Sequence, residues 1–263
     1  MATNKKTEFW EKALKVPFDL HVHSNFSDGE DSPRDIVLSA IDKGIKTIGF
    51  SDHSYVVCDA EWSLPEGENL EYKNAISDLK KEFAGKIDIL CGIEQDYHTD
   101  EEPEGYDYII GSVHHIIAGG KYVFMDETAQ HLSEAADKYF GGDMISLCEA
   151  YYENVGKLYQ KTGCDIVGHF DLLTKFNEQN PLIDEENPRY VKAYQRAVDE
   201  LIGDGCKLFE INYGAISRGY RTNPYPSTKI QDYIRQKGGR FICSSDSHSK
   251  NTVGFWLFSR KIH

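Results

Sequence analysis

Short apolar runs alternate with longer amphipathic stretches along most of the chain. Runs of this length, ended by polar residues or glycine, are typical of buried strands. The strand candidates read FDLHVH, TIGFSDH, DILCGIEQ, YDYIIGSVHH, CDIVGHFDL, KLFEINY and RFICSSDSH. Because helical patterns separate these strands, the sequence predicts a parallel α/β fold.

The stretches between the strands predict helices. One begins at Ser32 and Pro33, a capping residue followed by a first-turn proline, and ends near Gly44. Others are predicted at 72–83, 144–161, 187–202 and 228–236. No G-x-G-x-x-G turn follows any strand, which favours a barrel over a doubly wound sheet. The last segment, SKNTVGFWLFSRKIH, is too short for another helix and strand, so either the barrel ends at seven strands or a tail is missing.

Composition narrows the class of protein. The chain has 263 residues, 40% of them hydrophobic, and a net charge of −14. One domain spanning residues 1–263 is within the size range of an α/β barrel. The acidic balance argues against a nucleic-acid partner and favours a small substrate or metal cations. We expect no membrane span, no N-terminal signal peptide, reduced cysteines and a cytoplasmic location.

Nearly every predicted strand ends in side chains that can bind metal. Because the carboxyl ends of parallel barrel strands converge on one face, these side chains are predicted to form one cluster. In chain order, they are His21, His23 and Asp28, then Asp52 and His53, Glu94, His114 and His115, His169 and Asp171, and Asp246 and His248.

The spacing supports a metal site. Residues two apart in a strand share a face, so His21 with His23, and Asp246 with His248, could each grip a metal from one strand. A single histidine at a strand end is usually structural, but a series at successive ends is not expected by chance. Clustered buried carboxylates need a cation, and imidazole with carboxylate suits Zn, Mn or Fe. These candidates outnumber the four ligands of one tetrahedral site. The sequence therefore predicts more than one metal, unless some of the candidate side chains contact other ligands and not a metal.

The motifs HVHSNFSDG, SDH, GIE, GSVH, GHFD and SDSH resemble, in order, those of the polymerase and histidinol phosphatase (PHP) superfamily. The segment from Glu210 to Ser227, EINYG through NPYPS, most resembles the histidinol-phosphate phosphatases. The resemblance implies a distorted seven-stranded (β/α)7 TIM-like barrel that holds three divalent metal ions.

Matched positions imply a role for each ligand. The first metal would be held by His21, His23, Glu94 and Asp246. Glu94 would bridge to a second metal completed by His114 and His169, and a third would be held by Asp28, His53 and His248. Strand alternation turns His115 away, so we expect it to be a bystander. His98, His131 and His263 match no motif.

Two cations are candidates for binding substrate phosphate. Lys175 lies where similar phosphatases carry a basic residue, commonly arginine, and Arg218 follows the sixth strand. Arg189 and Arg221 are possible substitutes. A lysine offers a point charge where arginine offers a bidentate fork.

The predicted activity is hydrolysis of L-histidinol phosphate to L-histidinol and phosphate, a step of histidine biosynthesis. A metal-bridging hydroxide would attack phosphorus, and Asp246 or His248 would position the proton for the leaving group. The alternatives are another PHP phosphoesterase acting on nucleotides, oligonucleotides or phosphotyrosine, an amidohydrolase, or a non-catalytic metal-binding barrel.

Overall fold

Seven parallel strands curl into a nearly closed barrel, as the strand–helix alternation predicted. The computed structural model describes residues 15–67 and 69–259. In spatial order the strands are β1 (Phe18–Asp19), β2 (Thr47–Phe50), β3 (Asp88–Asp96), β4 (Tyr108–Ser112), β7 (Ile166–Val167), β8 (Leu208–Asn212) and β9 (Arg240–Ser244). Beyond β1 and β9, the His23 amide donates to the Ser247 carbonyl at 2.8 Å, which brings the first and last strands together.

The helices largely follow the amphipathic segments. They are α1 (Pro33–Asp42), α2 (Asn69–Glu82), α3 (Ala129–Phe140), α4 (Met144–Gly156), α5 (Leu158–Thr162), α6 (Pro188–Asp204), α7 (Gly214–Ser217), α8 (Thr228–Gln236) and α9 (Phe255–Ser259). The Ser32 hydroxyl accepts from the Asp35 amide, so α1 begins at the predicted cap. The predicted helix at 144–161 is two helices, since the chain turns at Lys157.

One segment was not predicted. The strand β4 ends at Ser112, and the chain then forms an antiparallel hairpin of β5 (His115–Ala118) and β6 (Lys121–Phe124), followed by α3. The run YDYIIGSVHH therefore joins two strands instead of forming one. This hairpin contributes to the rim of the barrel beside the strand ends that carry the polar side chains.

The barrel interior is filled by a side chain from β4. Tyr108 is fully buried, and its hydroxyl donates to the carbonyls of Leu20 at 2.6 Å and Phe50 at 3.2 Å. A β-carbon at Gly92 would overlap the Tyr108 ring. Gly92 thus leaves room for the Tyr108 ring, and the interior of the barrel is filled by side chains.

The last described segment packs under the barrel without adding a strand. Trp256 of α9 lies with its ring centroid 5.3 Å from that of Phe18 in β1. All six cysteines are free, five of them buried. Among the described helices, none is long and apolar enough to cross a bilayer. The N-terminal residues on which the absence of a signal peptide was predicted, and His263, lie outside the described residues.

Candidate metal centre

The strand ends bring together all of the side chains that matched positions assigned to metals. They form overlapping groups in which the potential ligand atoms lie within 4.8 Å of one another. The groups are His23, Asp28, His53 and His248; His21, Glu94 and His169; His21, His23 and Asp246; and His53, Glu94 and His114. The overlap agrees with several ions that share ligands, whereas the assignment of each residue to one ion stays a prediction.

Glu94 lies at the centre of the cluster, with a different set of histidines at each oxygen. Its Oε2 lies 3.2 Å from His21 Nε2 and 3.0 Å from His53 Nδ1. Its Oε1 lies 2.9 Å from His169 Nε2 and 3.5 Å from His114 Nε2. A carboxylate placed between two sets of imidazoles has the geometry needed to bridge two metals.

Several of these atoms are buried without a hydrogen-bond partner among the described residues. They are Nε2 of His21, both ring nitrogens of His23, Oε2 of Glu94 and Nδ1 of His169. Buried polar atoms left without a partner are costly. Two ligands about 2.1 Å from one tetrahedral ion are about 3.4 Å apart, and His23 Nε2 lies 3.4 Å from Asp246 Oδ1. The residues therefore fit divalent metal ions.

The pKa values of His23 and His21, two residues apart in the chain, are shifted in opposite directions. Burial, together with the neighbouring His248 and His53, lowers the pKa of His23 to about 3, so this imidazole is neutral and ready to bind metal. Burial also acts against protonation of His21, but the carboxylates of Glu210 and Glu94 outweigh it and raise the pKa of His21 well above its usual value. The two histidines after β1 thus have opposite electrostatic surroundings.

Glu210, in β8, supports the cluster from behind, a role that sequence reasoning missed. Its Oε1 lies 2.6 Å from His21 Nδ1, and its Oε2 accepts from the His169 amide at 2.9 Å. A carboxylate on the far nitrogen of a ligand histidine fixes its orientation and raises its basicity. The available signal was a glutamate inside the otherwise apolar strand KLFEINY, the one predicted strand to which no ligand was assigned.

Two strand-end carboxylates do not join the cluster, which corrects the expectation that all would converge. Asp52 accepts from the Ser24 amide at 2.8 Å and the Ser27 hydroxyl at 2.7 Å, and so holds the loop after β1. Asp171 accepts from the Ser227 amide at 2.9 Å. Both carboxylates are buried supports of neighbouring loops.

The adjacent histidines have different surroundings. His114 directs Nε2 at Glu94, and its Nδ1 lies 3.0 Å from Asp96 Oδ2. His115 points away from the cluster, as predicted, but it is not a bystander: it is buried, 3.3 Å from Asp59 and 3.5 Å from Asp96. Burial disfavours its protonation, yet the nearby carboxylates of Asp59 and Asp96 raise the pKa of His115 to about 12.

The cluster forms the floor of a cavity of about 850 Å³. Both predicted cations line it. Lys175 Nζ lies 3.1 Å from Asp126 Oδ2, and the Arg218 guanidinium donates to Asp246 Oδ2 at 3.2 Å and to His248 Nδ1 at 2.8 Å. Two positive side chains at the edge of a metal cluster can bind an oxyanion.

The two substitute arginines are engaged elsewhere. Arg189 pairs with Asp143 and Glu149 across two outer helices. Arg221 is buried against Tyr225 and donates to the Thr174 hydroxyl. Neither lines the cavity.

Asp246 has an unusual backbone conformation, with φ of 48°. Such left-handed geometry is costly for a residue other than glycine and is often found at functional sites. Gly214 makes room for it, because a β-carbon there would lie 2.6 Å from Asp246 Oδ2. The position of this carboxylate therefore depends on the glycine that begins α7.

Comparison with known proteins agrees with this geometry. The family model described as PHP domain matches residues 19–214. The chain belongs to the PHP domain family. Among PHP relatives, a histidinol-phosphatase of Lactococcus lactis is 35% identical over 250 residues, covering 88% of this chain and 83% of the relative. A histidinol-phosphatase of Bacillus subtilis is 25% identical over 268 residues, covering 90% and 95%. This PHP chain is thus of the histidinol-phosphatase type.

Solved structures show the same fold. A protein from Listeria monocytogenes superposes with a TM-score of 0.76 at 19% identity, covering 92% of this chain and 99% of that one. The histidinol phosphate phosphatase of Lactococcus lactis, solved in complex with zinc, L-histidinol and phosphate, gives a TM-score of 0.68 at 23% identity, covering 94% and 91%. The distorted barrel predicted from the motifs is confirmed.

Proposed function

We propose that this PHP protein hydrolyses L-histidinol phosphate to L-histidinol and phosphate, the histidinol-phosphatase step of histidine biosynthesis. The observation that carries the proposal is one cavity whose floor is a shared imidazole–carboxylate cluster and whose edge carries Lys175 and Arg218. The names of the similar proteins, and the L-histidinol and phosphate in the Lactococcus lactis complex, support the choice of substrate.

The proposed metal ligands are those that the sequence indicated. They are His21, His23, Asp28, His53, Glu94, His114, His169, Asp246 and His248. Three divalent ions agree with the overlapping groups, and zinc, manganese or iron suits this donor set. When bound, such ions lower the pKa of a coordinated water to near neutrality and draw charge from the phosphoryl oxygens.

The chain supplies orientation and positive charge. Glu210 holds His21 and the His169 backbone, so two ligands are fixed before substrate arrives. We assign Lys175 and Arg218 to the phosphoryl oxygens. Arg218 is already held by Asp246 and His248, so it needs little reorganisation to meet an oxyanion.

The proton for the leaving group is assigned to Asp246. Its buried carboxyl is held ionised by Arg218 and His21, which keep its pKa well below the usual range despite burial. The ionised Oδ2 can accept a hydrogen bond from the attacking water, and a proton that passes to it is returned to the much more basic leaving alkoxide. We assign His248 to metal binding and not to proton transfer: its Nδ1 accepts from Arg218, and its Nε2 lies 2.9 Å from Asp28 Oδ2, a member of the same ligand group.

The test is phosphate release from L-histidinol phosphate, with elemental analysis of the same purified sample. We expect bound zinc, manganese or iron, and a kcat/KM for this ester above that for nucleotides, oligonucleotides and phosphotyrosine. Turnover of other phosphate esters with none of L-histidinol phosphate would refute the substrate assignment.

A further inference from the structure

A loop after β2 forms one wall of the cavity without contributing a metal ligand. We call residues 57–62, which read VCDAEW, the 57–62 wall. All six line the cavity, and Val57 and Trp62 remain 68% and 58% exposed. The wall carries two carboxylates, Asp59 and Glu61, and no cation. The wall is thus acidic, whereas the edge of the cavity formed by Lys175 and Arg218 is basic.

Asp59 is held in place from the protein core. Its Oδ2 lies 3.3 Å from Nε2 of His115, which is buried. His115 is fixed in turn by Asp96 at 3.5 Å and by the Phe124 ring, whose centroid lies 4.6 Å from its own in an edge-on arrangement. A carboxylate on an exposed loop therefore has a defined position in the cavity.

The 57–62 wall has more carboxylates than cations to pair with them. Asp59 and Asp96 share one imidazole, that of His115, at 3.3 and 3.5 Å, and Glu61 adds a further carboxylate. The wall therefore presents acidic side chains to the cavity. In contrast, Asp126, another carboxylate that lines the cavity, is paired with Lys175 at 3.1 Å.

A phosphate monoester is oriented by these two ends of the cavity. Its dianionic group is attracted to the metal centre with Lys175 and Arg218 and repelled by the 57–62 wall, which leaves the wall to the alcohol part. We propose that Asp59 binds the protonated amine of the substrate's leaving group and so selects amino-alkyl phosphates over esters that lack an amine. This inference rests on the proposed function, because the phosphatase centre is what anchors the other end of the substrate.

The test compares two esters that differ only in the amine. The metal-loaded full chain is assayed with L-histidinol phosphate and with its deaminated analogue, 3-(imidazol-4-yl)propyl phosphate. We expect kcat/KM to favour the amine-bearing ester by about tenfold or more, the size of a charge-assisted hydrogen bond. In Asp59→Asn this preference should fall by about the same factor, mainly through KM. Asp59→Glu should restore part of it.

The matched control is Asp100→Asn, which removes an exposed aspartate that does not line the cavity. It should leave the preference unchanged. A wild-type protein without preference for the amine would overturn the proposal. So would an Asp59→Asn variant that loses the same fraction of kcat/KM on both esters, because that result indicates a structural role through His115.

Two further measurements test the role of Asp59 if the variant does not fold or if the proposed substrate is wrong. If Asp59→Asn does not fold, inhibition of the wild-type protein by L-histidinol and by 3-(imidazol-4-yl)propan-1-ol replaces it. The amine should tighten inhibition about tenfold, and equal inhibition would refute the inference. If other esters are hydrolysed but L-histidinol phosphate is not, the proposed function fails, and O-phosphoethanolamine against ethyl phosphate then decides the role of Asp59.

Discussion

The floor and one wall of the same cavity are built in different ways. The floor consists of His21, His23, Glu94, His169 and Asp246, all at most 5% exposed. Each follows or belongs to a barrel strand whose backbone fixes its direction. The 57–62 wall has no strand or helix, and its carboxylate at Asp59 is placed by one side chain, His115.

This difference suggests separate roles, with the floor responsible for ester hydrolysis and the wall for the preference among esters. Residues at the floor share partners, so a change in one displaces several others. At the wall, Asp59 reaches the floor through His115 and Asp96, so a change in its side chain acts on the floor indirectly. We therefore expect floor substitutions to abolish turnover of every ester, and wall substitutions to alter the preference among esters.

The largest effect is expected from His21→Ala. His21 belongs to two of the ligand groups, so its loss removes a donor from both and leaves Glu210 without its imidazole partner. Activity should fall about 10³-fold or more on all esters, with reduced bound metal by elemental analysis. His131→Ala, on α3, is the matched control. Activity that survives in His21→Ala would contradict a metal-dependent mechanism.

Gly214→Ala should be nearly as damaging although it removes no ligand. The new β-carbon would lie 2.6 Å from Asp246 Oδ2, and displacement of a reacting group by about 1 Å can cost about 10²-fold in rate. The control is Gly203→Ala in α6, where a β-carbon has no neighbour within 4 Å, and where alanine should stabilise the helix. Equal kcat in the two variants would show that the position of Asp246 tolerates change.

Glu210→Gln tests whether the contact between Glu210 and the far ring nitrogen of His21 strengthens metal binding. The variant keeps the side-chain shape but removes the charge 2.6 Å from His21 Nδ1. We expect metal affinity to fall about 10–100-fold, measured by competition with a chelator, and excess metal to restore activity. Unchanged affinity would mean that His21 is oriented without Glu210.

A smaller effect is expected from Lys175→Met at the edge of the cavity. Removing this charge should raise KM, and the inhibition constant of inorganic phosphate, by about tenfold, with metal content unchanged. Lys175→Arg should retain phosphate binding, because a guanidinium can replace the ammonium with a fork of donors. A Lys175→Met variant with unaltered phosphate inhibition would remove Lys175 from the binding role.

Local sequence rules predicted most of the barrel and the ligand positions. Alternation placed His21 with His23, and Asp246 with His248, and the parallel topology implied that the strand ends meet. The same rule failed for Asp52 and Asp171. Both carboxylates accept hydrogen bonds from loop residues and do not face the cluster. Strand-end position alone therefore did not distinguish ligands from loop supports.

Long-range contacts account for what was missed. Glu210 meets His21 only because β8 and β1 curve toward each other across 189 residues of chain. The hairpin of β5 and β6 is a local exception, because its turn at Gly119 and Gly120, both with positive φ, was an available sequence signal. His115 gained its role from Asp59 and Asp96, residues that periodicity does not connect to it.

By itself, the sequence indicated a parallel α/β barrel and a set of metal-binding candidates, because both follow from the two-residue period and from chemistry at strand ends. The resemblance to PHP motifs then selected the proposed ligands among these candidates. The tertiary structure alone decided which carboxylates face the centre, that Glu210 supports it, and that Asp59 faces the substrate cavity. These depend on barrel closure and loop packing, which bring together residues far apart in the chain.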